Sequence, residues 1–444
     1  MNNIGESCSV GRWSLEMKQP LLFEADPMFT NRQTKAVTFR GKLDLPIHRW
    51  YRLTPSFSPT LADDIADHFS LSASDLVLDP FSGVGTVPLC MKYRGIPACS
   101  VEINPYLHFV GTVKTRTYRA VENIEQYFSD FMKVFRGKLN TIPFEDRPAL
   151  YLAEQARFIP RINYPERWWS KGNLAQLVCL RKLLIERVEK TEAHDLLRMG
   201  ALAILIPVSN AKHNHVSLTY AEKPLPTVDV AGVFEQQLQN MIADLRAVLA
   251  LPRSEVTIYS GNSKKLSQVL PENGRKVSSV ITSPPYPNRF SYARETRPHL
   301  FFFDFIGSAR AVGQLETDAI GGTWGKATSV LSTGVKPKNE LIAKLLKPYI
   351  KDIHHGGNLM AHYVTKYFND LYDHAGEIEK VCEPRCRLAY VIGNSKFYDN
   401  PLPSDEILAG IFNHFGFSLD RIDKMRKRQS KSGLHESVVF MKRG

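Results

Sequence analysis

The 444-residue sequence lacks the signals that mark several classes of protein. Its six cysteines include no C-x-x-C pair, which argues against a structural metal site and a disulfide framework and favours reduced thiols. No apolar run reaches the roughly 18 residues of a membrane-spanning helix, and the N-terminal M-N-N-I-G-E-S-C has no apolar signal core. We therefore expect a cytoplasmic protein with no metal and no membrane partner.

Positive charge, by contrast, is abundant. The chain has 57 Lys and Arg residues against 45 Asp and Glu residues, which gives a net charge of +12. An excess of this sign favours a polyanionic partner, although alone it is a weak pointer to nucleic acid. The length suggests two or three domain-sized units.

A strand–turn–helix–strand pattern comes first among the informative segments. Residues 75–79 (D-L-V-L-D) predict a buried strand that ends in an acid, and residues 98–103 predict a second strand that ends near Glu102. Between them, Gly83 and Gly85 let the backbone approach a ligand closely, while no G-K-[ST] follows to make a phosphate-binding loop. Glu102 is suitably placed in sequence to accept hydrogen bonds from a ribose. The pattern predicts a parallel α/β sheet with a nucleoside site; the alternative is a tight turn with a surface acid.

The segment V-I-T-S-P-P-Y places a serine, two prolines and a tyrosine directly after a strand-like run. Alone it could equally be a Pro-rich surface turn or an extended ligand segment. Together with D-P-F-S-G-V-G-T it resembles the two main motifs of the S-adenosylmethionine-dependent DNA amino-methyltransferases, in the family's order. Y-R-L-T-P-S-F-S-P-T-L further resembles the segment that lies over the methionine end of the cofactor. The resemblance covers roughly half of the chain. It implies a doubly wound, mostly parallel, seven-stranded Rossmann-like sheet with a helical insertion.

The resemblance also implies S-adenosylmethionine as cofactor. Asn262 departs from the family pattern, because an acid usually stands near the cofactor's adenine at that place; an amide can still hydrogen-bond the adenine amino group. The implied cofactor-binding residues are Phe57, Asp79, Pro80, Phe81, Gly83, Gly85, Thr86, Glu102, Ile103 and Asn262.

For catalysis the resemblance implies Ser283, Pro284, Pro285 and Tyr286, acting on a base flipped out of duplex DNA. Ser283 Oγ and the Pro284 carbonyl would accept hydrogen bonds from the exocyclic amine, and the prolines would preorganise them. Tyr286 would stack on the base. Serine at the first position favours methylation of cytosine N4, and adenine N6 is the alternative. No cysteine follows a proline, which argues against methylation of a cytosine ring carbon. An RNA methyltransferase and a non-catalytic DNA-binding protein are further alternatives.

The remaining patterns predict the domain organisation. Residues 1–45 show no clear period and predict an extended arm. Residues 118–251 have apolar residues at helical spacing, and predict a mostly helical insertion that is a candidate for target recognition. It divides the catalytic domain into 46–117 and 252–444. Residues 288–357 predict a second insert near the active site, and two closing strands joined by a basic loop end the chain.

Duplex DNA is the implied partner, with nucleoid association through it and a companion restriction endonuclease as a possible second partner. The pair Trp168 and Trp169 could read base edges or belong to a helical core, and the core is favoured. His213 and His215 favour a polar loop over a metal site. Seven basic residues are predicted to contact phosphates, with a solvated hairpin tip as the alternative for the last four: Arg289, Arg294, Arg297, Lys424, Arg426, Lys427 and Arg428.

Overall fold

The computed structural model describes residues 45–53, 57–142, 147–187, 191–212, 218–219, 225–272, 274–322, 326–427 and 433–444. The predicted arm, apart from residue 45, lies outside the described residues, as do His213, His215 and Arg428. The strands are β1 (Val77–Asp79), β2 (Ala98–Glu102), β3 (Val256–Ser260), β4 (Val277–Thr282), β5 (Cys382–Gly393), β6 (Ser395–Phe397), β7 (Asn400–Leu402), β8 (Phe417–Lys427) and β9 (His435–Arg443).

Seven of these strands form one sheet in the order β3-β2-β1-β4-β5-β9-β8. Strands β1 to β5 pair in parallel, whereas β9 runs antiparallel to both β5 and β8. The prediction of a mostly parallel, seven-stranded sheet is confirmed. The chain moves outward from β1 to β3 and then returns to place β4 beside β1. This reversal opens a crevice at the carboxyl ends of β1 and β4, where ligands of open α/β sheets bind.

Successive side chains of the central strands pack alternately into two separate hydrophobic cores, one on each face of the sheet. Val77 and Ile281 face one core, and their neighbours Leu78 and Val280 face the other. Both faces are therefore covered, as a parallel sheet requires. The covering helices on the first face are α1 (Pro59–His68), α2 (Thr86–Tyr93) and α3 (Pro105–Thr115).

A predicted mostly helical segment lies between β2 and β3. Its helices are α4 (Val121–Leu139), α5 (Pro148–Glu154), α6 (Pro165–Trp168), α7 (Lys171–Glu186), α8 (Glu192–Ile204) and α9 (Val230–Ala247). Trp168 and Trp169 are buried in the core of this segment, and Trp169 Nε1 donates a hydrogen bond of 2.9 Å to the Leu205 carbonyl. The interpretation of both tryptophans as core residues is confirmed.

The helical segment is tied to the chain that precedes α1. Buried Asp244 of α9 accepts hydrogen bonds from the backbone N–H of Ile47 at 2.9 Å and from Trp50 Nε1 at 3.0 Å, and it pairs with Arg49. A buried carboxylate needs such partners, since an unpaired charge away from water is costly.

The stretch after β4 is also helical, which the sequence patterns did not predict. Its helices are α11 (Tyr292–Glu295), α12 (Arg297–Phe302), α13 (Ala309–Asp318), α14 (Lys326–Ser332) and α15 (Glu340–Gly356), after a short α10 (Leu266–Val269) that precedes β4. Two further helices then cover the second face of the sheet, α16 (Asn358–Val381) and α17 (Ser404–His414).

Strand β5 begins at Cys382, which pairs with Val277 across an irregular register. Two features differ from the sequence expectation. The short hairpin β6–β7 was not predicted. Lys424 and Arg426 belong to strand β8 and not to a loop, since they pair with Ser437 and Glu436 of β9. Within the described residues, no helix combines the length and the apolar character needed to cross a bilayer.

Candidate active site

A cavity of about 180 Å³ lies at the carboxyl ends of the central strands. It brings together the two motifs, which are some 200 positions apart in the sequence. Gly85 and Pro284 are not among the lining residues. The predicted residues that line the cavity are Phe57, Asp79, Pro80, Phe81, Gly83, Thr86, Glu102, Ile103, Asn262, Ser283, Pro285, Tyr286 and Arg426.

The Gly-rich turn between β1 and α2 depends on left-handed backbone at two positions. Gly83 has φ 53° and Gly85 has φ 78°, a region that side chains other than glycine rarely adopt. A Cβ atom on Gly85 would lie 3.1 Å from the Cα of Gly111 in α3. Gly85 therefore allows two helices to approach closely, while Gly83 shapes the wall of the cavity.

Glu102 ends β2 with its carboxylate turned back onto the Gly-rich turn. One carboxylate oxygen accepts a hydrogen bond of 2.7 Å from the Gly83 N–H, and the other accepts one of 2.8 Å from the Asn104 N–H. Burial raises the pKa of Glu102 to about 7, although these backbone hydrogen bonds act in the opposite direction. The carboxyl group is thus held in one orientation and changes its charge near neutral pH.

Asp79, at the end of β1, links the two motifs. Its Oδ1 accepts a hydrogen bond of 2.6 Å from the Thr282 hydroxyl and one of 3.0 Å from the Phe81 N–H. Burial raises the pKa of Asp79 to about 6, and the two hydrogen bonds lower it. Thr282 is the last residue of β4 and directly precedes the S-P-P-Y turn. This contact therefore fixes the position of the S-P-P-Y turn relative to the Gly-rich turn.

Ser283 begins the S-P-P-Y turn, and its hydroxyl group donates a hydrogen bond of 3.1 Å to the Val391 carbonyl of β5. The hydroxyl hydrogen is thereby used within the sheet, so Oγ faces its other neighbours at the cavity wall as an acceptor. One of these neighbours is the Tyr286 side chain. Pro284 is buried, and the Pro285 carbonyl accepts a hydrogen bond of 2.8 Å from the Tyr367 hydroxyl. Helix α16, which carries Tyr367, therefore helps to fix the backbone of the turn.

Tyr286 lies in the same wall, against two residues of the closing strands. Its hydroxyl donates a hydrogen bond of 3.2 Å to Glu436 Oε1, and the Arg426 guanidinium makes a two-point contact with the same carboxylate, at 2.6 and 3.1 Å. Burial, and secondarily the charge of Glu436, raise the pKa of Tyr286 well above its ordinary value. The Arg426 prediction placed this side chain on phosphate, whereas the structure pairs it with Glu436.

Sequence reasoning missed Glu436. It lies in a strand at the far end of the chain, within the unremarkable pattern H-E-S-V-V-F, and only the pairing of β9 with β5 brings it to the cavity. No local signal could have identified it. Tyr292 and Glu316 also line the cavity, and both belong to the stretch 288–357 that was predicted to lie near the active site.

Asn262 lines the cavity, and both atoms of its amide are hydrogen-bonded within the protein. Its Oδ1 accepts a hydrogen bond of 2.9 Å from the Lys264 N–H, and its Nδ2 donates one of 3.1 Å to the Asp318 carbonyl. The following loop is supported by His374 of α16, whose Nδ1 lies 3.1 Å from the Ser263 carbonyl. Burial lowers the pKa of His374 to about 4, so this contact comes from a neutral ring.

A buried lysine holds the chain that leads to Leu53. Lys114 Nζ of α3 donates hydrogen bonds to the carbonyls of His48 at 3.1 Å and Tyr51 at 2.6 Å, and burial lowers its pKa to about 7. Leu53 and Phe57, on either side of residues outside the description, line the cavity. Leu53 and Phe57 thus lie at the same cavity as the Gly-rich turn.

The basic residues after Tyr286 differ in their surroundings. Arg289 is exposed with φ 61°, and its backbone N–H donates a hydrogen bond of 3.1 Å to the Tyr363 hydroxyl. Arg294 is exposed, whereas Arg297 is half-buried at the start of α12. Lys424 is exposed on β8, and Lys427 ends that strand.

Across the described ranges, no group of three His, Cys, Asp or Glu residues is arranged to hold a metal ion.

The protein has a doubly wound α/β fold of the nucleotide-binding kind. Three features define it: the sheet order, the crevice at the β1–β4 reversal and the acid-ended strand after a Gly-rich turn.

No family model matches the chain. It is 22% identical over 462 residues to Type II methyltransferase M.BsoBI of Geobacillus stearothermophilus, with 95% of this chain and 88% of that protein covered. It is 20% identical over 422 residues to Type II methyltransferase M.AvaI of Nostoc sp., with 87% and 82% covered. The chain is thus similar to Type II methyltransferases over nearly its whole length.

Solved structures also resemble the chain, at lower levels. TrmN from Thermus thermophilus gives a TM-score of 0.30 at 9% identity, with 90% of this chain and 53% of that chain covered. The rRNA methyltransferase aviRa from Streptomyces viridochromogenes gives 0.29 at 11% identity, with 87% and 86% covered. Likenesses of this size support no functional conclusion.

Proposed function

We propose that this protein is an S-adenosylmethionine-dependent DNA methyltransferase that modifies the exocyclic N4 amine of a flipped cytosine, as the modification enzyme of a restriction–modification system. The observation that carries the proposal is the position of Ser283. Its hydroxyl group is turned by Val391 to present acceptor lone pairs to the cavity that also holds Gly83 and Glu102. The similarity to Type II methyltransferases over nearly the whole chain supports it.

The residues around the Gly-rich turn fit S-adenosylmethionine. A backbone cradle without side chains at Gly83, a carboxylate held in place at Glu102 and apolar rings at Phe57 and Phe81 suit a nucleoside whose ribose offers two hydroxyl groups. When bound, the cofactor supplies an activated methyl group on a sulfonium. Glu102 would hold the ribose, and Asn262 would stand at the adenine end.

The S-P-P-Y turn fits a planar base that carries an amine. Ser283 Oγ and the Pro284 carbonyl would accept hydrogen bonds from the amine and orient its lone pair, and proline φ restriction keeps both acceptors in place. The Tyr286 ring would stack on the base, with its hydroxyl held by Glu436. Orientation of the two reactants accounts for much of the rate in such a transfer.

Duplex DNA is the proposed polyanionic partner of this basic chain, and a companion endonuclease would cut the same site when it is unmodified. Arg289, Arg294 and Lys424 are exposed near the active-site edge or on the closing strands and suit phosphate contacts. Arg297 and Arg426 are less suited, because the first is half-buried and the second is paired with Glu436.

Serine at position 283 is the reason to favour cytosine N4 over adenine N6. The test is to express the protein in a host without DNA methylation, digest the genomic DNA and total RNA separately, and identify modified nucleosides by mass. We expect N4-methylcytosine in the DNA. N6-methyladenine instead would overturn the choice of base but not the DNA methyltransferase activity. Modification of RNA alone would overturn the DNA substrate.

A further inference from the structure

Helix α15 presents two opposite faces. Ile342, Leu346 and Ile353 are buried and pack against the core of the second sheet face. Positions 344, 347, 351 and 355 follow each other at spacings of three and four on the other side, and all are exposed. They are Lys344, Lys347, Lys351 and His355; we call the three lysines the α15 stripe.

The α15 stripe lacks the acidic partners that other lysines of the chain have. Lys133, Lys338 and Lys396 each pair with a nearby aspartate. In the described part of the chain, no carboxylate oxygen lies within 4.0 Å of a stripe ammonium, although Glu340 and Asp352 are on the same helix.

Like charges without acidic partners weaken a helix when they lie three or four residues apart. Each such pair costs roughly 0.2–0.5 kcal/mol. A row of cations that the fold itself does not neutralise is the feature expected of a surface that binds a polyanion.

The end of α15 lies near the part of α16 that contacts the chain after the S-P-P-Y turn. At the start of α15, the Lys338 N–H donates to Asn369 Oδ1 in the middle of α16, and at its end His354 Nδ1 lies 2.9 Å from Asn358 Oδ1 at the start of α16. The two helices are therefore antiparallel. Tyr363, about 8 Å further along α16, holds the Arg289 N–H beside the S-P-P-Y turn.

We propose that the α15 stripe is a phosphate-binding surface that continues from Arg289 and holds the backbone of duplex DNA beside the active site. The stripe spans about 10 Å along the helix axis, with steps of about 4.5 and 6 Å. Since one strand of DNA carries a phosphate every ~3.4 Å of its axis, three lysines at these steps can reach separate phosphates. Contacts of this kind position the duplex and carry no sequence information. The inference deepens the proposed function, because it assumes a DNA substrate.

The test compares two triple variants with equal loss of charge. One is Lys344→Gln, Lys347→Gln and Lys351→Gln together, and glutamine keeps the helix propensity of lysine. The control is Lys276→Gln, Lys380→Gln and Lys442→Gln, at the end of the sheet where β4 and β5 begin. Lys380 and Lys442 pair with Glu377 and Asp420, so this triple removes the same charge from a surface that is largely neutralised within the fold. Binding to a labelled DNA duplex of mixed sequence is measured by anisotropy over a range of salt, and melting by circular dichroism checks the fold of each variant.

For the α15 variant we expect the slope of log affinity against log salt to fall by about 2.7, which is about 0.9 for each phosphate that a stripe lysine no longer neutralises. Between about 50 and about 200 mM salt, the variant should then lose about 40-fold less affinity than the wild type. Methylation should show a raised KM for DNA with kcat retained. The control triple should bind as the wild type does, with the same slope.

Equal effects of the two triples, or an unchanged slope in the α15 variant, would overturn the inference, since only net charge would then matter. Tighter binding of a duplex RNA of the same sequence would overturn the DNA partner. The proposed function can fail separately. A wild type that binds duplex DNA through the stripe but methylates no DNA would refute the proposed function, while the stripe would still be a phosphate-binding surface.

Discussion

The Thr282 hydroxyl donates a hydrogen bond of 2.6 Å to the Asp79 carboxylate, and this bond joins the ends of the two central strands. Thr282 precedes the S-P-P-Y turn, and Asp79 begins the Gly-rich turn. Both residues are buried, so each relies on the other for this hydrogen bond. The relative position of the two motifs therefore depends on this contact.

Replacing Thr282 by valine tests that dependence. The change keeps the shape of the side chain but leaves a buried carboxylate oxygen without this donor, which should lower the free energy of unfolding by about 1–3 kcal/mol. It should also raise the pKa of Asp79 further, because the hydrogen bond opposes the effect of burial. Urea unfolding measures the first effect. Thr282→Ser keeps the hydroxyl and should stay close to the wild type; equal losses in both variants would show that the methyl group matters instead.

Cofactor affinity should depend on pH through Glu102. Its pKa is raised from 4.5 to about 7, so the carboxyl group is neutral in the ligand-free protein below pH 7. The ionised carboxylate is the stronger acceptor for ribose hydroxyl groups, because a charged acceptor strengthens a hydrogen bond. Affinity for S-adenosylmethionine or its demethylated product should therefore fall by up to about tenfold per pH unit below 7 and level off above it. Calorimetry across this range measures the effect.

Glu102→Gln provides the control for the pH dependence. Glutamine has one carbonyl oxygen for the two N–H groups of Gly83 and Asn104, so binding should be weaker at every pH, and the step near pH 7 should vanish. A step that persists in this variant would assign it to another group. In the ligand-free wild type, the free energy of unfolding should fall as pH rises from 4.5 to 7, because the folded state then binds more protons than the unfolded state. Asp79, with a pKa near 6, adds to this fall.

Ser283→Ala should reduce turnover without changing cofactor affinity. The variant removes one acceptor for a buried amine, a loss of about 1–3 kcal/mol that corresponds to roughly 5- to 150-fold in kcat. Single-turnover methylation and cofactor calorimetry separate the two quantities. Ser278→Ala is the matched control, because Ser278 lies in β4, the strand that leads to Ser283, but bonds Asp75 at the opposite end of that strand. Unchanged turnover in Ser283→Ala would refute the acceptor role.

Tyr286 should act through its ring. Tyr286→Ala should weaken capture of the target base by about 1–3 kcal/mol, the usual value of one aromatic stack, and leave cofactor affinity nearly unchanged. Tyr286→Phe should be mild, because the ring remains and Glu436 keeps its two-point contact with Arg426. Fluorescence of a base analogue at the target position reports capture. A loss in the phenylalanine variant as large as in the alanine variant would show that the hydroxyl bond to Glu436 carries the function.

The motifs could be predicted from sequence because each is local. The strand, the glycines and the acid of D-L-V-L-D-P-F-S-G-V-G follow one another, and so do the strand and turn of V-I-T-S-P-P-Y. Backbone restriction at glycine and proline, and burial of short apolar runs, act over a few residues. The same locality explains the error at Lys424: the predicted loop is a strand because its partner β9 comes later in the chain.

The sequence by itself determined the strand-and-turn motifs, the parallel α/β class and the burial of the two tryptophans in a helical segment. Only the tertiary structure decided which residues meet. The contacts of Thr282 with Asp79, of Tyr286 with Glu436 and of Ser283 with Val391 join positions more than 100 residues apart. Such pairs depend on strand order and register, in which a shift by one residue turns every side chain to the other face of the sheet, and no local pattern specifies that choice.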